Sequence, residues 1–369
     1  MGPAVRPVVL PALLRADRKG LGGIESYAIE LEKRLRERGR PVTILGHGSE
    51  QGDGFLSVLD RDDAKGRHFA WALYKNRKRW RFPPETVIHV QRPDHVAAFA
   101  AGPWPIVLTF HGRHQKTVAA RTGPVGGWIY RAVEKRACRR ADAVVFVSRA
   151  DMTDVTGADP RLASRAAMIP VGVDRNLFCA GERVAARRRL DLPSGAKGIG
   201  YAGRIEVEKN LPSLIKAIER IPEIELWIAG AGREEAACRR AAGPRVRFLG
   251  PLPREAMPDF FAAADALALA SRHEGLPTVV LEALSCGRPV LATPVGDLPS
   301  LLAHGGGVVA AGFDSESLAE GIRRLLPMLD GAREEALRSM TEAFDWSAIT
   351  DRLSDVYDEA AARRSAAGS

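Results

Sequence analysis

The chain has 369 residues, 46% of them hydrophobic and 27% charged, with a formal net charge of +9 and a pI near 9.6. This composition excludes a disordered chain, and the length allows two domains of ordinary size. The longest apolar stretch, residues 257–270, contains Asp259 and Asp265 and falls short of the ~18 uninterrupted apolar residues of a membrane-spanning helix. The positive charge favours anionic partners: nucleoside diphosphates, anionic lipid headgroups or nucleic acid.

The four cysteines form neither a Cys-x-x-Cys motif nor a Cys/His pattern for zinc, so we expect reduced thiols. They are Cys138, Cys179, Cys238 and Cys286. The apolar residues 8–14 are broken by Pro11 and lack a small-residue cleavage site, so no secretion signal is predicted. We expect a cytoplasmic protein, and peripheral association with the inner face of the membrane is considered because of the basic charge.

Five strand-like apolar runs alternate with helical patterns in the first half of the chain: residues 8–13, 42–45, 87–90, 106–110 and 143–147. This alternation predicts a parallel α/β organisation. A helix predicted over 24–38 carries acids early, bases late and Gly39 just past its end, as the helix dipole and C-capping favour. Ser148 and Asp151 offer the next helix a cap.

Ligands of open parallel sheets bind at the carboxyl ends of the strands, so the segments that follow each strand matter most. The first of these, residues 15–24, contains Gly22 and Gly23 and opens a helix. Glycines there would let a phosphate or a sugar come close to the backbone. The alternative is a turn that merely needs glycine dihedrals, since the segment matches neither Walker A nor GxGxxG.

A basic segment from Arg61 to Arg81 holds eight Lys or Arg against two Asp, with four aromatic residues interleaved. We consider it a surface for anionic lipid, where each Lys or Arg contributes about 1 kcal/mol. The segment 131–140 adds five basic residues. A solvated helix with a buried Trp is the equal alternative, because the aromatic residues do not fall on one helical face.

The strand predicted at 106–110 is followed by His111 and Gly112, so an imidazole lies at a carboxyl end beside a residue without a side chain. Such a histidine can hydrogen-bond a sugar hydroxyl or position an acceptor, and a structural histidine is the alternative. His89 and His114 are weaker candidates for the same role.

The second half repeats the alternation, with strand-like runs at 198–202, 225–229, 245–249, 266–269 and 289–292. Pro- and Gly-rich segments at 169–178 and 191–195 predict the linker, with residues 171–174 as a candidate hinge. We expect a first domain of residues 1–180, completed by a C-terminal helix over 346–369, and a second domain of residues 181–345. The predicted fold class is α/β with two doubly wound parallel sheets.

A charged loop follows the first strand of the second half. Gly203, Arg204 and Lys209 precede a helix whose predicted N-cap is Asn210, with Pro212 in the first turn. Arg204 and Lys209 could reach one diphosphate and stabilise a leaving group as negative charge develops. A solvated charged loop is the alternative, since two glutamates are interleaved with the basic residues.

The most informative segment runs from Ser271 to Glu282, where Glu274 and Glu282 flank a Gly-Leu-Pro-Thr turn that opens an apolar helix. A helix N-terminus binds phosphate, and carboxylates accept hydrogen bonds from sugar hydroxyls, so the segment suits a sugar nucleotide. We expect the two carboxylates roughly 9 to 12 Å apart, whereas a retaining glycosidase needs about 5 to 5.5 Å. Two solvated glutamates on a helix are the alternative.

With these residues in this order, the sequence resembles the GT-B glycosyltransferases of glycosyltransferase family 4 over nearly its whole length. The most specific part is residues 274–296, EGLPTVVLEALSCGRPVLATPVG, and the Gly-Arg-x-x-x-x-Lys segment at 203–209 is also typical. The resemblance implies two Rossmann-like domains facing across a cleft, with the C-terminal helix packed back on the N-terminal domain. The N-terminal domain would bind the acceptor and the C-terminal domain the nucleotide-sugar donor.

The resemblance also assigns roles to residues of the donor site. Arg204 and Lys209 would hold the diphosphate, Glu274 would contact hydroxyls of the transferred sugar, and Glu282 would bind the ribose. The turn Gly275, Leu276, Pro277 and Thr278 lies where the family cradles phosphate, and Leu276 and Thr278 would supply any N–H donors because Pro277 has none.

From the other domain, the resemblance implies that Gly22 and Gly23 close the site and that His111 lies beside the sugar and the acceptor. The family retains the anomeric configuration and needs no cofactor and no divalent metal. Consistent with this, we find no convincing Asp-x-Asp motif near these loops. The implied mechanism is a front-face substitution in which the departing diphosphate helps take the acceptor proton.

We therefore expect transfer of a hexose or N-acetylhexosamine from a UDP- or GDP-sugar to a saccharide or lipid-linked acceptor, in cell-envelope or exopolysaccharide synthesis. A GT-B-like sugar-nucleotide epimerase or hydrolase is the nearer alternative. A non-enzymatic nucleic-acid binder is remote, because aromatic content is 6% and no RNA-recognition, KH or helix-turn-helix signature is present.

Overall fold

The computed structural model describes residues 5–17, 23–61, 65–112, 114–329 and 334–368. Contacts within the chain divide it into two compact units, the first Met1–Pro170 with Ser347–Ser369 and the second Val171–Trp346. Residues 171–180, assigned from the sequence to the first domain, therefore lie in the second unit. There Val173 donates its N–H to Phe344 and accepts from the N–H of Trp346, at 2.8 and 3.2 Å, so the chain enters and leaves this unit side by side.

The first unit is built on a seven-stranded sheet whose neighbouring strands all pair in parallel, in the order β3-β2-β1-β4-β5-β6-β7. Its strands are β1 (Val8–Pro11), β2 (Val42–His47), β3 (Phe55–Leu59), β4 (Val87–Val90), β5 (Ile106–Phe110), β6 (Ala143–Phe146) and β7 (Ala166–Met168). The central strands are buried on both faces, which is why they read as continuous apolar runs in the sequence.

Helices connect these strands: α1 (Gly23–Glu37), α2 (Gly66–Lys75), α3 (His114–Arg140) and α4 (Arg149–Ala158). The helix predicted at 24–38 is confirmed by α1, which has Glu25 in its first turn and two arginines in its last. Gly39 follows it with a φ of 71°, a conformation that favours glycine. The helix α3 is kinked at Gly123, before Pro124.

The second unit carries a six-stranded parallel sheet in the order β10-β9-β8-β11-β12-β13. Its strands are β8 (Lys197–Ala202), β9 (Ile224–Ala229), β10 (Val246–Gly250), β11 (Ala266–Leu269), β12 (Val290–Ala292) and β13 (Gly307–Val309). Its helices are α5 (Arg183–Arg189), α6 (Leu211–Ile218), α7 (Glu235–Ala241), α8 (Met257–Ala263), α9 (Thr278–Ser285), α10 (Leu298–Leu302), α11 (Ser315–Leu325) and α12 (Glu334–Ser339).

Three strands were not predicted, and all three lie at sheet edges: β3, β7 and β13. The strands β7 and β13 have three residues each, and most residues of all three strands are only half-buried. An edge strand has a neighbour on one side only and lacks the apolar run of a central strand. The sequence pattern therefore predicts the interior of each sheet better than its edges.

The last helix, α13 (Trp346–Gly368), packs on the first unit, as predicted for the C-terminal helix. The Tyr357 hydroxyl lies 2.8 Å from Nδ1 of His89, and Arg38, which directly follows α1, forms an ion pair with Asp351 at 2.8 Å. The two doubly wound parallel sheets and this helix confirm the predicted fold class. Within the described ranges no helix is long and apolar enough to cross a membrane.

Candidate active site

The candidate donor site lies at the carboxyl ends of β8 and β11, two neighbouring strands in the second unit. The chain leaves β8 toward β9 and β10 on one side and returns to β11 on the other, so the strand order reverses between them. Ligands of open parallel sheets bind at such a reversal. The segment 203–210 follows β8, and the segment 270–277 follows β11 and leads into α9.

Two predicted site residues from these segments contact each other directly. The Lys209 ammonium lies 2.5 Å from a carboxylate oxygen of Glu274, and the two side chains are only 18% and 13% exposed. Each charge compensates the other in a partly dehydrated position, where an unpaired charge would be costly. The alternative of a freely solvated charged loop is therefore wrong for Lys209.

The loops that carry this pair are tied together through their backbones. The N–H of Arg272 donates to the carbonyl oxygen of Glu208 at 2.8 Å, which joins the two segments. Gly296, after β12, packs so closely that an added Cβ would lie 2.1 Å from the carbonyl oxygen of Gly275. Its φ of 54° also favours glycine, so this close approach fixes the turn before α9.

Arg204 is held more loosely than Lys209. Its side chain is 56% exposed and lies 3.6 Å from Glu208, while its carbonyl oxygen accepts a hydrogen bond from the Tyr201 hydroxyl at 2.7 Å. The other glutamate of the loop, Glu206, pairs with Arg233 at 2.6 Å, and this hydrogen-bonded guanidinium lowers the pKa of Glu206. The two glutamates of this loop, Glu206 and Glu208, therefore pair with arginines, and Lys209 pairs with Glu274.

The predicted N-cap role of Asn210 needs a correction. Asn210 precedes α6, but its side chain makes no capping bond to the helix backbone. Its φ is 54°, and its amide nitrogen donates to the Phe313 carbonyl oxygen at 2.8 Å while its oxygen accepts from the Ser213 hydroxyl at 2.9 Å. Because the backbone of Asn210 is in the left-handed region, its side chain forms hydrogen bonds with Phe313 and Ser213 that hold the loop in place. Ser148 likewise precedes α4 without a side-chain capping bond.

Glu282 lies in the second turn of α9, with 12% of its side chain exposed. Arg254 lies 3.7 Å away, yet burial dominates and raises the pKa of Glu282 to about 7. The helix is preceded by Pro277, and Leu276 is buried beneath the turn. The N–H groups of its first turn, from Thr278 onward, have no partner within the helix and form the positive end of its dipole.

In the first unit, His111 follows β5 as predicted, next to Gly112 with a φ of 108°. Its Nε2 lies 2.8 Å from the side-chain oxygen of Gln91, which directly follows the neighbouring strand β4. The ring of Tyr27 in α1 packs edge-on against the imidazole, with centroids 4.7 Å apart. Gln91, at the carboxyl end of β4, and Tyr27, in α1, thus both contact this histidine.

The weaker histidine candidates do not join this group. His89 lies inside β4 and is fully buried; its nitrogens contact the Tyr357 hydroxyl and, at 2.7 Å, the Thr109 hydroxyl. Burial lowers the pKa of His89 to about 3, so it is a neutral structural residue and the proposal of a site role for it was wrong. His114 begins α3. Gly22 lies outside the described residues, while Gly23 begins α1, and apart from its chain neighbours and the backbone of its own helix no described residue lies within 4 Å of an added Cβ.

The basic segment Arg61–Arg81 is described except for residues 62–64. Phe69 of α2 is buried, whereas Trp71 and Tyr74 are 62% and 45% exposed. Lys75 lies 5.0 Å from the centre of the Trp71 ring, and Arg77 lies 4.1 Å from that of Tyr74. The helix therefore presents two aromatic side chains with cations beside them on its outer face.

Three residues near the sites were missed by the sequence analysis: Gln91, Arg233 and Arg254. Each follows a strand, namely β4, β9 and β10. The rule that singled out His111 could have found them, because parallel strands bring their carboxyl ends to one edge. Their partners, however, lie far away in the chain and become neighbours only in the folded sheet.

Comparison with known families finds a match for each half of the chain. Residues 196–327 match the family described as "Glycosyl transferases group 1", and residues 21–177 match that described as "Glycosyltransferase Family 4". The chain belongs to glycosyltransferase family 4. This family 4 enzyme is a retaining glycosyltransferase that takes its sugar from a nucleotide-sugar donor.

Individual proteins resemble this family 4 enzyme over nearly its full length. A D-inositol 3-phosphate glycosyltransferase from Xylanimonas cellulosilytica is 29% identical, covering 94% of this chain and 93% of that protein. Sucrose-phosphate synthase from Thermosynechococcus elongatus has a TM-score of 0.79 at 22% identity, covering 96% and 98% of the two chains. Anabaena Alr3699/HepE in complex with UDP-glucose has a TM-score of 0.75 at 19% identity, covering 95% and 99%. These structures show that the GT-B fold is shared.

Proposed function

We propose that this enzyme transfers a hexose or N-acetylhexosamine from a UDP- or GDP-sugar to a saccharide or lipid-linked acceptor, as a step of cell-envelope or exopolysaccharide synthesis. The observation that carries the proposal is the ion pair between Lys209 and Glu274 at the strand reversal, beside the N-terminus of α9. In this pair, a cation that can bind phosphate lies directly beside a carboxylate that can accept hydrogen bonds from sugar hydroxyls.

In this proposal the donor exchanges partners with the ion pair. The diphosphate takes the ammonium of Lys209, and Glu274 is released to accept hydrogen bonds from hydroxyls of the transferred sugar. The phosphate compensates the charge of Lys209, and the sugar hydroxyls give the carboxylate of Glu274 hydrogen bonds in place of its ion pair, so neither group loses its polar partner. Arg204, which is exposed and weakly paired, turns to the same diphosphate.

The turn and helix α9 bind the remainder of the donor. The N–H groups at the start of α9 and the helix dipole attract the phosphate oxygens. Glu282 binds the ribose, and with its pKa raised to about 7 it can accept from one hydroxyl and, when protonated, donate to another.

The transfer step then follows from charge placement. As the bond between sugar and diphosphate breaks, Lys209 and Arg204 stabilise the negative charge that develops on the leaving group. The diphosphate oxygen helps take the acceptor proton, so the enzyme supplies no nucleophile. Because these two cations supply positive charge, we expect activity to persist in the presence of EDTA.

The donor site is tested by thermal unfolding with UDP, GDP, ADP and their common sugar conjugates. A ligand at about 100 times its dissociation constant stabilises the native state by about 2.7 kcal/mol. We expect the nucleotides of one base to raise the unfolding temperature, by a large shift in wild type and by a small shift in Lys209→Met. Lys197→Met, which removes an exposed lysine at the start of β8, is the matched control and should behave like wild type. Equal shifts in wild type and Lys209→Met would refute the proposed diphosphate site.

UDP is the first nucleotide to test because HepE, which shares this fold, has been described in complex with UDP-glucose. Incubation of the identified donor with and without acceptors then separates transfer from hydrolysis or epimerisation. Free sugar or an epimerised donor at the same rate in both would favour the alternative enzyme. Inositol phosphates belong in the acceptor panel, since a relative at 29% identity is named for D-inositol 3-phosphate.

We also propose that the segment Arg61–Arg81 brings the enzyme to an anionic membrane surface, where lipid-linked acceptors lie. The support is the outer face of α2, where exposed Trp71 and Tyr74 have cations beside them. Aromatic rings favour the lipid interface, and cations are attracted by its negative charge. We expect cosedimentation with phosphatidylglycerol vesicles but not with phosphatidylcholine vesicles, and its loss in Trp71→Ser/Lys75→Ser. Retention of binding in that variant would refute the role of this segment.

A further inference from the structure

Gln91 and His111 occupy equivalent places on neighbouring strands of the first unit. Gln91 directly follows β4, His111 directly follows β5, and the two strands pair in parallel. Gln91 is 1% exposed, and its side-chain oxygen lies 2.8 Å from Nε2 of His111. A buried amide therefore contacts one nitrogen of the imidazole to which a role beside the sugar and the acceptor is assigned.

This contact decides which nitrogen of the imidazole carries hydrogen. The amide oxygen of Gln91 can only accept a hydrogen bond, so Nε2 of His111 must donate it. In the neutral imidazole the other nitrogen, Nδ1, is then an acceptor. An acceptor nitrogen is what a sugar or acceptor hydroxyl needs as a partner for its own hydrogen.

The rest of the environment supports a fixed imidazole. The Tyr27 ring meets it edge-on at 77°, and Tyr27 is itself buried in α1. The amide nitrogen of Gln91 is buried and has no hydrogen-bond partner in the described part of the chain. The amide nitrogen therefore contributes no hydrogen bond that would stabilise the buried side chain of Gln91. The hydrogen bond between its amide oxygen and His111 is the interaction that explains why this polar group is buried here.

We propose that Gln91 is a positioning residue that holds His111 in the tautomer with hydrogen on Nε2, so that Nδ1 accepts a hydrogen bond from a hydroxyl of the sugar or of the acceptor. The proposal rests on the proposed glycosyl transfer and on the place beside the sugar and the acceptor that the family resemblance implies for His111. Gln91 acts only through His111 and touches no reacting atom itself.

Nitrogen NMR of protein labelled with 15N-histidine tests the tautomer without any substrate. The His111 signals are assigned by their absence in His111→Asn. We expect the wild type to show hydrogen on Nε2 and an unprotonated Nδ1 at neutral pH. Gln91→Met, close in size but unable to accept strongly, should give a mixture of tautomers. Gln91→Glu retains an oxygen acceptor and should keep hydrogen on Nε2. A wild-type His111 with hydrogen on Nδ1 alone would overturn the proposal.

Kinetics with the identified donor and acceptor test the consequence. Gln91→Met should lower kcat about 10- to 100-fold, by analogy with the loss of a group that orients a metal-ligating histidine, and Gln91→Glu should recover most of the activity. Donor binding, followed by thermal shift, should stay unchanged in both. Thr86→Val removes a buried hydroxyl that has no hydrogen-bond partner among the described residues, just before the amino end of β4, and is the matched control for structural damage. Equal losses in Thr86→Val and Gln91→Met would overturn the proposal.

The two arms separate this inference from the proposed function. If no transfer is found with any acceptor while the NMR result is as expected, the proposed function fails and the orienting role of Gln91 stands. If transfer is found but His111 keeps one tautomer in Gln91→Met, the positioning role fails and the proposed function stands.

Discussion

The two units hold their candidate site residues by different interactions. In the second unit the contacts join opposite charges: Lys209 with Glu274, Arg233 with Glu206, and Arg254 with Glu282. In the first unit they join histidines to uncharged side chains: His111 to Gln91 and Tyr27, and His89 to Tyr357 and Thr109. Both sets lie on parallel sheets built in the same way, so the difference comes from the side chains rather than from the fold.

This contrast fits two kinds of ligand. In an ion pair between partly buried groups, the cation can exchange the carboxylate for a phosphate, and the carboxylate can then accept hydrogen bonds from hydroxyls of the donor. A neutral network of buried hydrogen bonds fixes which group donates and which accepts, as discrimination among hydroxyls requires. The second unit thus suits a charged ligand and the first a neutral, hydroxyl-rich one.

Breaking the central ion pair should have the largest effect. Lys209→Met removes the cation nearest the proposed diphosphate and leaves Glu274 unpaired, so we expect kcat to fall about 10²- to 10³-fold. Turnover at saturating donor measures this. Lys216→Met, which removes an exposed lysine of α6, should retain wild-type turnover. A loss of less than about fivefold in Lys209→Met would show that charge in the second unit is not placed for catalysis.

The buried carboxyl of Glu282 predicts an unusual pH dependence. Between about pH 4.5 and 7 the unfolded chain has released this proton while the native state retains it, since burial raises the pKa from 4.5 to about 7. The free energy of unfolding should therefore fall as the pH rises through this window, by up to about 3 kcal/mol. Urea unfolding of wild type and Glu282→Gln at several pH values measures it. The free energy of unfolding of Glu282→Gln should rise relative to that of wild type as the pH rises. A difference between the two that does not change with pH would contradict the argument that burial raises this pKa.

The glycine contact beneath the donor turn can be tested with a matched pair. Gly296→Ala places a Cβ 2.1 Å from the carbonyl oxygen of Gly275, whereas Gly305→Ala, also at positive φ, meets no atom of the described residues within 4 Å apart from its chain neighbours. Both strain the backbone, but Gly296→Ala should be less stable than Gly305→Ala by a further ~2 kcal/mol. Thermal unfolding measures this difference. Only Gly296→Ala should also weaken the stabilisation by nucleotide; equal behaviour of the two would mean that this contact does not shape the turn.

The smallest expected effect concerns the neutral network of the first unit. Tyr357→Phe removes the hydroxyl that contacts Nδ1 of His89, while the ring remains packed against the imidazole at 5.4 Å. The loss of one buried hydrogen bond should cost about 1–2 kcal/mol of stability. Chemical unfolding measures it, and Tyr74→Phe, on the exposed face of α2, is the control. No loss in Tyr357→Phe would indicate that this hydrogen bond does not help to hold α13 on the first unit.

Much of this protein could be predicted from its sequence. The central strands are recognisable because burial on both faces requires continuous apolar runs, and α1 because its charges follow the helix dipole. The segments 203–210 and 271–282 could be singled out because they combine glycine, charge and a helix start directly after a strand. These are local properties, determined within a few residues.

The pairings were decided only by the tertiary structure. No local pattern shows that Lys209 contacts Glu274, 65 residues away, or that Gln91 orients His111. The sequence offers both His89 and His111 as candidates, yet His89 is fully buried against Tyr357 of α13 and His111 lies at a carboxyl edge. The physical reason is that burial, and with it the pKa and the choice of partner, depends on which elements pack together, and those elements come from distant parts of the chain.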